Sequence, residues 1–389
     1  MDKRRGSIAG SGEAHQIGRG IRKSLVTVTV VSVVALALMF TLERQSPAAK
    51  TMASTGGVGK GASFVYLFDS ASDAFVFTFT VPSSDANPKD VIVVPGMGYD
   101  DVWFTEPGAG RIGRLTYTST NDYGFEDDYP LLAGSRPMNL VSGGGYIWFT
   151  DPGRDSIGRL EPGTGQVDEF EVPAGGYPAD LDYASDGSIW FTEMLRDRIA
   201  RLVVTSTEDY AVNEYYTSTL SGGRPYGLVV AGSNTVYFAQ TENDRVTRFS
   251  LPDNWLQLYD FTGASDVPNG PYRLALQRLD EVWTTERVGN RITKFHPGTL
   301  PLPIPHSLSP ANSVPTGIAL DVSRDYVWFT QWAAGQIGRF RSGSGVTYYL
   351  LPFRDLAPTG IAVNGSGDVW VLASRPHGVY LPSVMRSGG

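Results

Sequence analysis

No cysteine occurs anywhere in the 389 residues, and histidine occurs only four times. The first absence excludes disulfides, thiolate catalysis and Cys-ligated metals, so a domain of this size must be stabilised by core burial. The second leaves few groups that change charge near neutral pH: His15, His296, His306 and His377. Helical periodicity is also missing, since nothing after residue 61 repeats at i, i+3, i+4 and i+7 over a helix length. No nucleophile triad, phosphate loop or zinc spacing is present. Basic charge is scarce in the body of the chain. Residues 1–61 take nine of the 32 Lys and Arg but only three of the 40 Asp and Glu, leaving the remainder at a net charge of about −14. Nucleic acid is thereby excluded as a partner.

What remains is rich in glycine, with 45 copies, and in aromatics, at 12%. That balance suits short strands joined by tight turns. One uncharged run, residues 24–42 (SLVTVTVVSVVALALMFTL), is long enough to span a bilayer as a helix. Six cations precede it (Lys3, Arg4, Arg5, Arg19, Arg22, Lys23) and only Arg44 and Lys50 follow closely, which places the N-terminus in the cytoplasm. The sequence therefore predicts a cytoplasmic tail (1–23), a transmembrane signal anchor (24–42), a flexible Gly/Ser/Ala linker (43–61) and an extracytoplasmic domain (62–389) held at the cell membrane by a single pass. Ser46-Pro47-Ala48 offers a cleavage site, and cleavage there would make the domain secreted.

The domain is a repeat. "YIWFTDPGRDSIGRL" recurs as "DVWFTEPGAGRIGRL", "SIWFTEMLRDRIARL", "TVYFAQTENDRVTRF", "EVWTTERVGNRITKF", "YVWFTQWAAGQIGRF" and, decayed, "DVWVLASRPHGVYL". The leading aromatics, Trp103, Trp148, Trp190, Tyr237, Trp283, Trp328 and Trp370, stand 42 to 47 residues apart. Each unit divides into four strands. In the copy after Pro225 these are YGLVVAG, TVYFAQ, RVTRFSL and LQLYDF, termed A to D, each bounded by turn residues. Four short strands per unit of this length is the pattern of a β-propeller blade. The last unit runs out after strand B, while a hairpin at Ser63–Pro82 precedes the first, so the hairpin is expected to complete the last blade and close a seven-bladed ring.

The unit "IWFTDPGRDSIGRLEPGTGQVDEFEVP" (147–173) resembles that of the streptogramin lyase family, also called virginiamycin B lyases, and weaker copies cover residues 64–381. The resemblance implies a propeller that opens a cyclic depsipeptide by elimination across an ester, with a magnesium ion, two histidines and acidic residues near the axial mouth. The family's histidines follow the Pro that opens strand A, in Pro-His-Gly or Pro-His-Ala. Here the openings read "RPMN", "YPAD", "RPYG", "GPYR", "VPTG" and "APTG", so Met138, Ala179, Tyr226, Tyr272, Thr316 and Thr359 stand in that position. "RPHG" at His377 falls on the wrong side of strand B.

Candidate residues follow from strand direction. The start of A and the end of B share one end of each blade, so the residues closing the WFT run are expected around one axial mouth: Glu106, Asp151, Glu193, Gln240, Glu286, Gln331 and Ser374. The four carboxylates, Glu106, Asp151, Glu193 and Glu286, form a candidate set of oxygen ligands for magnesium, or else each accepts hydrogen bonds within its own turn. Arg136, Arg224, Tyr226, Tyr272, Arg273 and Trp332 are irregular residues expected at the same mouth, where Arg and aromatics make a recognition surface. The recurring Arg114, Arg159, Arg201, Arg248, Lys294 and Arg339 read as a structural ladder on strand C. Two functions stay open. One is a binding or scaffolding module for an extracytoplasmic protein or small peptide-like ligand, requiring no cofactor. The other is a magnesium-dependent carbon–oxygen lyase of the virginiamycin B type, for which the family's Pro-His motifs are lacking.

Overall fold

A computed structural model describes residues 62–375, apart from 97, 120–121, 217–221, 262–268, 279–280, 298–302 and 354, and apart from the side chains of 126–128. The expected tail, anchor and linker lie outside the described residues, as does His377. Among the described residues no helix is long and apolar enough to cross a membrane.

Seven sheets of four antiparallel strands make a seven-bladed β-propeller. The blade read from Pro225 onward folds as strand A Pro225–Val230, B Thr235–Gln240, C Arg245–Ser250 and D Trp255–Asp260. The other complete blades open with strands A at Val91–Pro95 (blade 1), Leu140–Gly143 (blade 2), Pro178–Tyr183 (blade 3), Pro271–Arg278 (blade 5) and Pro315–Asp321 (blade 6). Blade 7 is composite, as the hairpin implies. Its strands A and B, Ala357–Val363 and Val369–Ser374, come from the C-terminal side, and Ser63–Asp69 and Ala74–Thr80 supply C and D. Phe64 pairs with Ala373 and Phe68 with Val369 across that seam. Strand A of each blade neighbours strand A of the next, through to blade 1 again, so the seven A strands surround the axis.

The repeat signature is explained by packing. Strand B alternates its side chains into the two gaps between blades, and the leading aromatics Trp103, Trp190, Trp328 and Trp370 are wholly buried there. Gly158 of the IGRL element lies beneath Phe149, and a β-carbon on it would stand 1.9 Å from the ring. The strand C cations sit directly opposite the strand B aromatics, as in Trp103 with Arg114 and Trp328 with Arg339. Their guanidinium carbons lie 4.9 and 5.4 Å from the ring centroids. Acidic partners complete the ladder: Asp101 at 2.7 Å from Arg114, Asp168 at 2.7 Å from Arg159, Asp186 beside Arg201 and Glu281 beside Lys294.

The threonine of the WFT run joins blades. Thr192 Oγ1 donates to the Tyr226 carbonyl of the next blade (2.9 Å), Thr285 to Thr316 (2.9 Å) and Thr330 to Thr359 (2.9 Å). Blade 4 has Ala239 at this position, and Thr241 two residues later reaches the Pro271 carbonyl instead (2.8 Å). Asp and Asn of the B–C turns complete the join. Asp197 accepts from the amides of Gly222 and Arg224, and Asn290 from Ser313, fixing the chain just before each following strand A.

Candidate functional site

The carboxylates that close strand B do not meet at the axis. Glu106, Asp151, Glu193 and Glu286 are fully buried, each within its own blade corner. The reason is the period of a strand: a side chain at the end of B leaves perpendicular to the sheet, into the gap between blades, rather than along the strand toward the mouth. Asp151 accepts from the amides of Arg136 (2.7 Å) and Gly153 (3.1 Å). Glu286 pairs with Arg291 (2.7 Å) and accepts from the Thr293 hydroxyl. Its carboxyl lies above the usual range because burial outweighs those contacts. Glu193 is pushed up to about 8 by burial and by the neighbouring Glu214 carboxylate. Gln240 and Gln331 at the equivalent positions are as deeply buried and bond to strand C residues, Thr247 and Gln336. Among the described residues no three His, Asp or Glu side chains are grouped to hold a metal ion.

The axis is reached instead from the start of strand A. In blades 3 to 7 a register shift follows the opening Pro, between Pro178 and Leu181, Pro225 and Leu228, Pro271 and Leu274, Pro315 and Ile318, and Pro358 and Ile361. Such a bulge turns the intervening residues out of the ladder. The residue before the Pro is held in the left-handed region at Asn87, Tyr177, Arg224 and Val314, with φ of 48°, 55°, 43° and 55°. For a β-branched residue such as Val314 this is strained backbone.

Two layers of side chains result. The inner one is a polar plug. Arg273 of blade 5 crosses the channel to Asp180 of blade 3 (3.0 Å), to Asp90 before strand A of blade 1 (3.4 Å) and to the Asn139 amide oxygen in blade 2. Asp180 also accepts from the Leu228 amide and Asp90 from the Leu140 amide, each at 3.0 Å. Burial raises the Asp180 carboxyl to about 6 even against the Arg273 charge. The guanidinium itself is raised above its ordinary range, because Asp180 and Asp90 together outweigh its own burial.

Outside the plug lies a pocket of about 160 Å³, lined by Lys89, Met138, Tyr226, Tyr272, Arg273, Arg287, Thr316, Gly317, Trp332 and Thr359. These come from six of the seven blades, which places the pocket at the axial mouth. Tyr226 and Tyr272 stack, with ring centroids 4.1 Å apart at 20°. The Arg287 guanidinium lies 4.5 Å from the Tyr272 ring centroid. Burial pushes the Tyr226 hydroxyl well above its ordinary value, with the neighbouring Tyr272 adding to the shift.

Of the mouth residues expected from sequence, Tyr226, Tyr272, Arg273 and Trp332 share this lining. Arg136 and Arg224 are exposed and outside it; Arg224 stands 3.8 Å from Glu242, also exposed. Lys89 was not among the expected residues. It lies in "NPKD" (87–90), the opening that precedes strand A of blade 1, and its position there is the one held by Tyr226 and Tyr272 in their blades. That seventh Pro-x-x triplet is the signal by which it is found. Neither described histidine lines the pocket. His306 lies on strand D of blade 5, 4.2 Å from Phe340 between ring centroids, and His296 follows strand C of that blade.

The residues present do not fit a magnesium site at this mouth. The two axial carboxylates, Asp90 and Asp180, already face the Arg273 guanidinium, and the pocket above them is lined by cations. A hard divalent ion takes several oxygen ligands free of competing positive charge.

Comparison with known proteins agrees with this architecture. The model of the Virginiamycin B lyase family matches residues 70–325, more than half of the chain. A solved streptogramin B lyase shares 21% identity at a TM-score of 0.64, covering 80% of this chain and 98% of that one. Virginiamycin B lyase from Staphylococcus aureus shares 23% at 0.62, covering 75% and 96%. A catalytically inactive form of the Staphylococcus aureus enzyme, with quinupristin, shares 22% at 0.63, covering 75% and 97%. A search of curated proteins gives no match.

Proposed function

The chain belongs to the virginiamycin B lyase family, and from that premise we propose that it is a binding member of the family, taking a peptide-like ligand at the axial mouth without opening it. The observation that carries this reading is the side-chain set at the start of the A strands. Elimination needs a base near neutrality at the α-carbon and an acid or metal at the leaving oxygen. The positions following the opening Pro hold Lys89, Met138, Ala179, Tyr226, Tyr272, Thr316 and Thr359, with no imidazole among them. They supply a stacked aromatic pair and the Lys89 cation, and Arg273 and Arg287 join them in the lining, the contact types of recognition surfaces. The apolar run 24–42 and its flanking cations support display of this mouth outside the cell from a membrane anchor.

The test is direct. The full chain in detergent is titrated with a streptogramin B in the presence of magnesium, with heat and product mass followed together. Saturable binding with unchanged ligand mass is expected. A linearised product formed over many turnovers would establish the lyase instead.

A further inference from the structure

The body of the chain is acidic, yet its axial pocket is lined by three cations and no carboxylate. Arg273 is committed to Asp180 and Asp90. Among the described residues the other two are paired with no acid. Lys89 Nζ donates to the Asn87 amide oxygen at 2.8 Å. Arg287 lies over Tyr272, and its Nε is buried with no hydrogen-bond partner. Two cations that share a pocket lining without a carboxylate are matched by an anion that enters the pocket. Burial and the nearby Arg287 charge lower the Lys89 amine to about 8, the behaviour of two cations held together without an anion.

The remaining lining says what else the ligand carries. Tyr226, Tyr272 and Trp332 share the lining with the cations, and Arg273 and Arg287 lie over the Tyr226 and Tyr272 rings. The volume of about 160 Å³ is close to the roughly 150 Å³ of an engineered cavity that admits one benzene ring.

We propose that the pocket binds the carboxylate of an aromatic amino acid, free or at a peptide C-terminus, with the anion between Lys89 and Arg287 and the ring against the tyrosine stack and Trp332. This inference rests on the reading of the mouth as a ligand site and adds its chemistry. A guanidinium offers a carboxylate two parallel hydrogen bonds, and the ammonium adds a point charge.

The experiment is calorimetry on the full chain at pH 7 with N-acetyl-L-phenylalanine and with N-acetyl-L-phenylalaninamide. The acid is expected to bind at least tenfold more tightly than the amide. K89M and R287M should each lower affinity for the acid about tenfold while circular dichroism shows the fold retained, and K89R should retain the affinity. Raising the pH from 7 to 9 should weaken binding of the acid, since Lys89, which shares the lining with Arg273, Arg287, Tyr226 and Tyr272, loses its proton across that range. Equal affinity for acid and amide overturns the carboxylate assignment and leaves the mouth a ligand site. Undiminished acid binding by folded K89M and R287M overturns it as well. If neither compound binds, the assignment fails, and the depsipeptide titration decides the binding-module reading separately.

Discussion

The end of strand B and the start of strand A lie at the same end of every blade, but they are governed by different constraints. The B ends are nearly uniform in sequence and buried without exception among the blades: Glu106, Asp151, Glu193, Gln240, Glu286, Gln331 and Ser374. The A starts vary from Lys to Met, Ala, Tyr and Thr, and all but Ala179 line the axial pocket. The uniform position answers to a neighbour that is the same in every blade. The varied one answers to whatever lies on the axis, which each blade meets only once. In a closed ring of repeats, departure from the repeat is therefore a better guide to a binding site than adherence to it.

Breaking the plug should have the largest effect. R273M leaves Asp90 and Asp180 buried without their cation, and loss of one partner from such a pair costs about 3–5 kcal/mol. Urea denaturation of the full chain should show this, and adding D180N should restore part of it. An R273M protein as stable as the parent would mean the plug is decoration. At the uniform position of strand C, G158A forces a β-carbon against Phe149 and should cost about 1–3 kcal/mol by overpacking. T192V tests the join between blades. It removes the donor to the Tyr226 carbonyl and should cost about 1 kcal/mol, seen as a lower denaturation midpoint at constant slope.

The remaining test reads a change in pH dependence. Glu193 keeps its proton in the folded protein up to about 8, whereas the unfolded chain releases it near 4.3. The folded state thus binds more protons between those values, so this group's contribution is fully present at low pH and declines as pH rises toward 8. E193Q, neutral throughout, should gain melting temperature relative to the parent at pH 9 but not at pH 4. An equal change at both values would locate the effect in packing.

The sequence carried the ring almost completely, because each blade repeats its own evidence. The Trp103-to-Trp370 spacing, the four strands after Pro225 and the closure by Ser63–Pro82 all follow from local pattern. The plug was not legible. Arg273, Asp180, Asn139 and Asp90 are brought together only by closure of the ring, and no local period encodes a contact across its axis. The strand B carboxylates were expected at the mouth because position along a strand was read without its face, and the pleat sends them sideways. Lys89 lay ahead of the first full repeat, where its Pro-x-x opening had no preceding copy to announce it.

The seam of blade 7 sets an order of events during synthesis. Strand C there is Ser63–Asp69, with Phe64 to Phe68 buried against Val369–Ser374, its pairing partner. At about 5–20 residues per second, the ribosome delivers that partner roughly 15–60 s after the strand itself emerges. For that interval one of the most apolar strands in the molecule is made but has nowhere native to go. Avoiding premature association of this segment therefore falls to whatever shields the nascent chain.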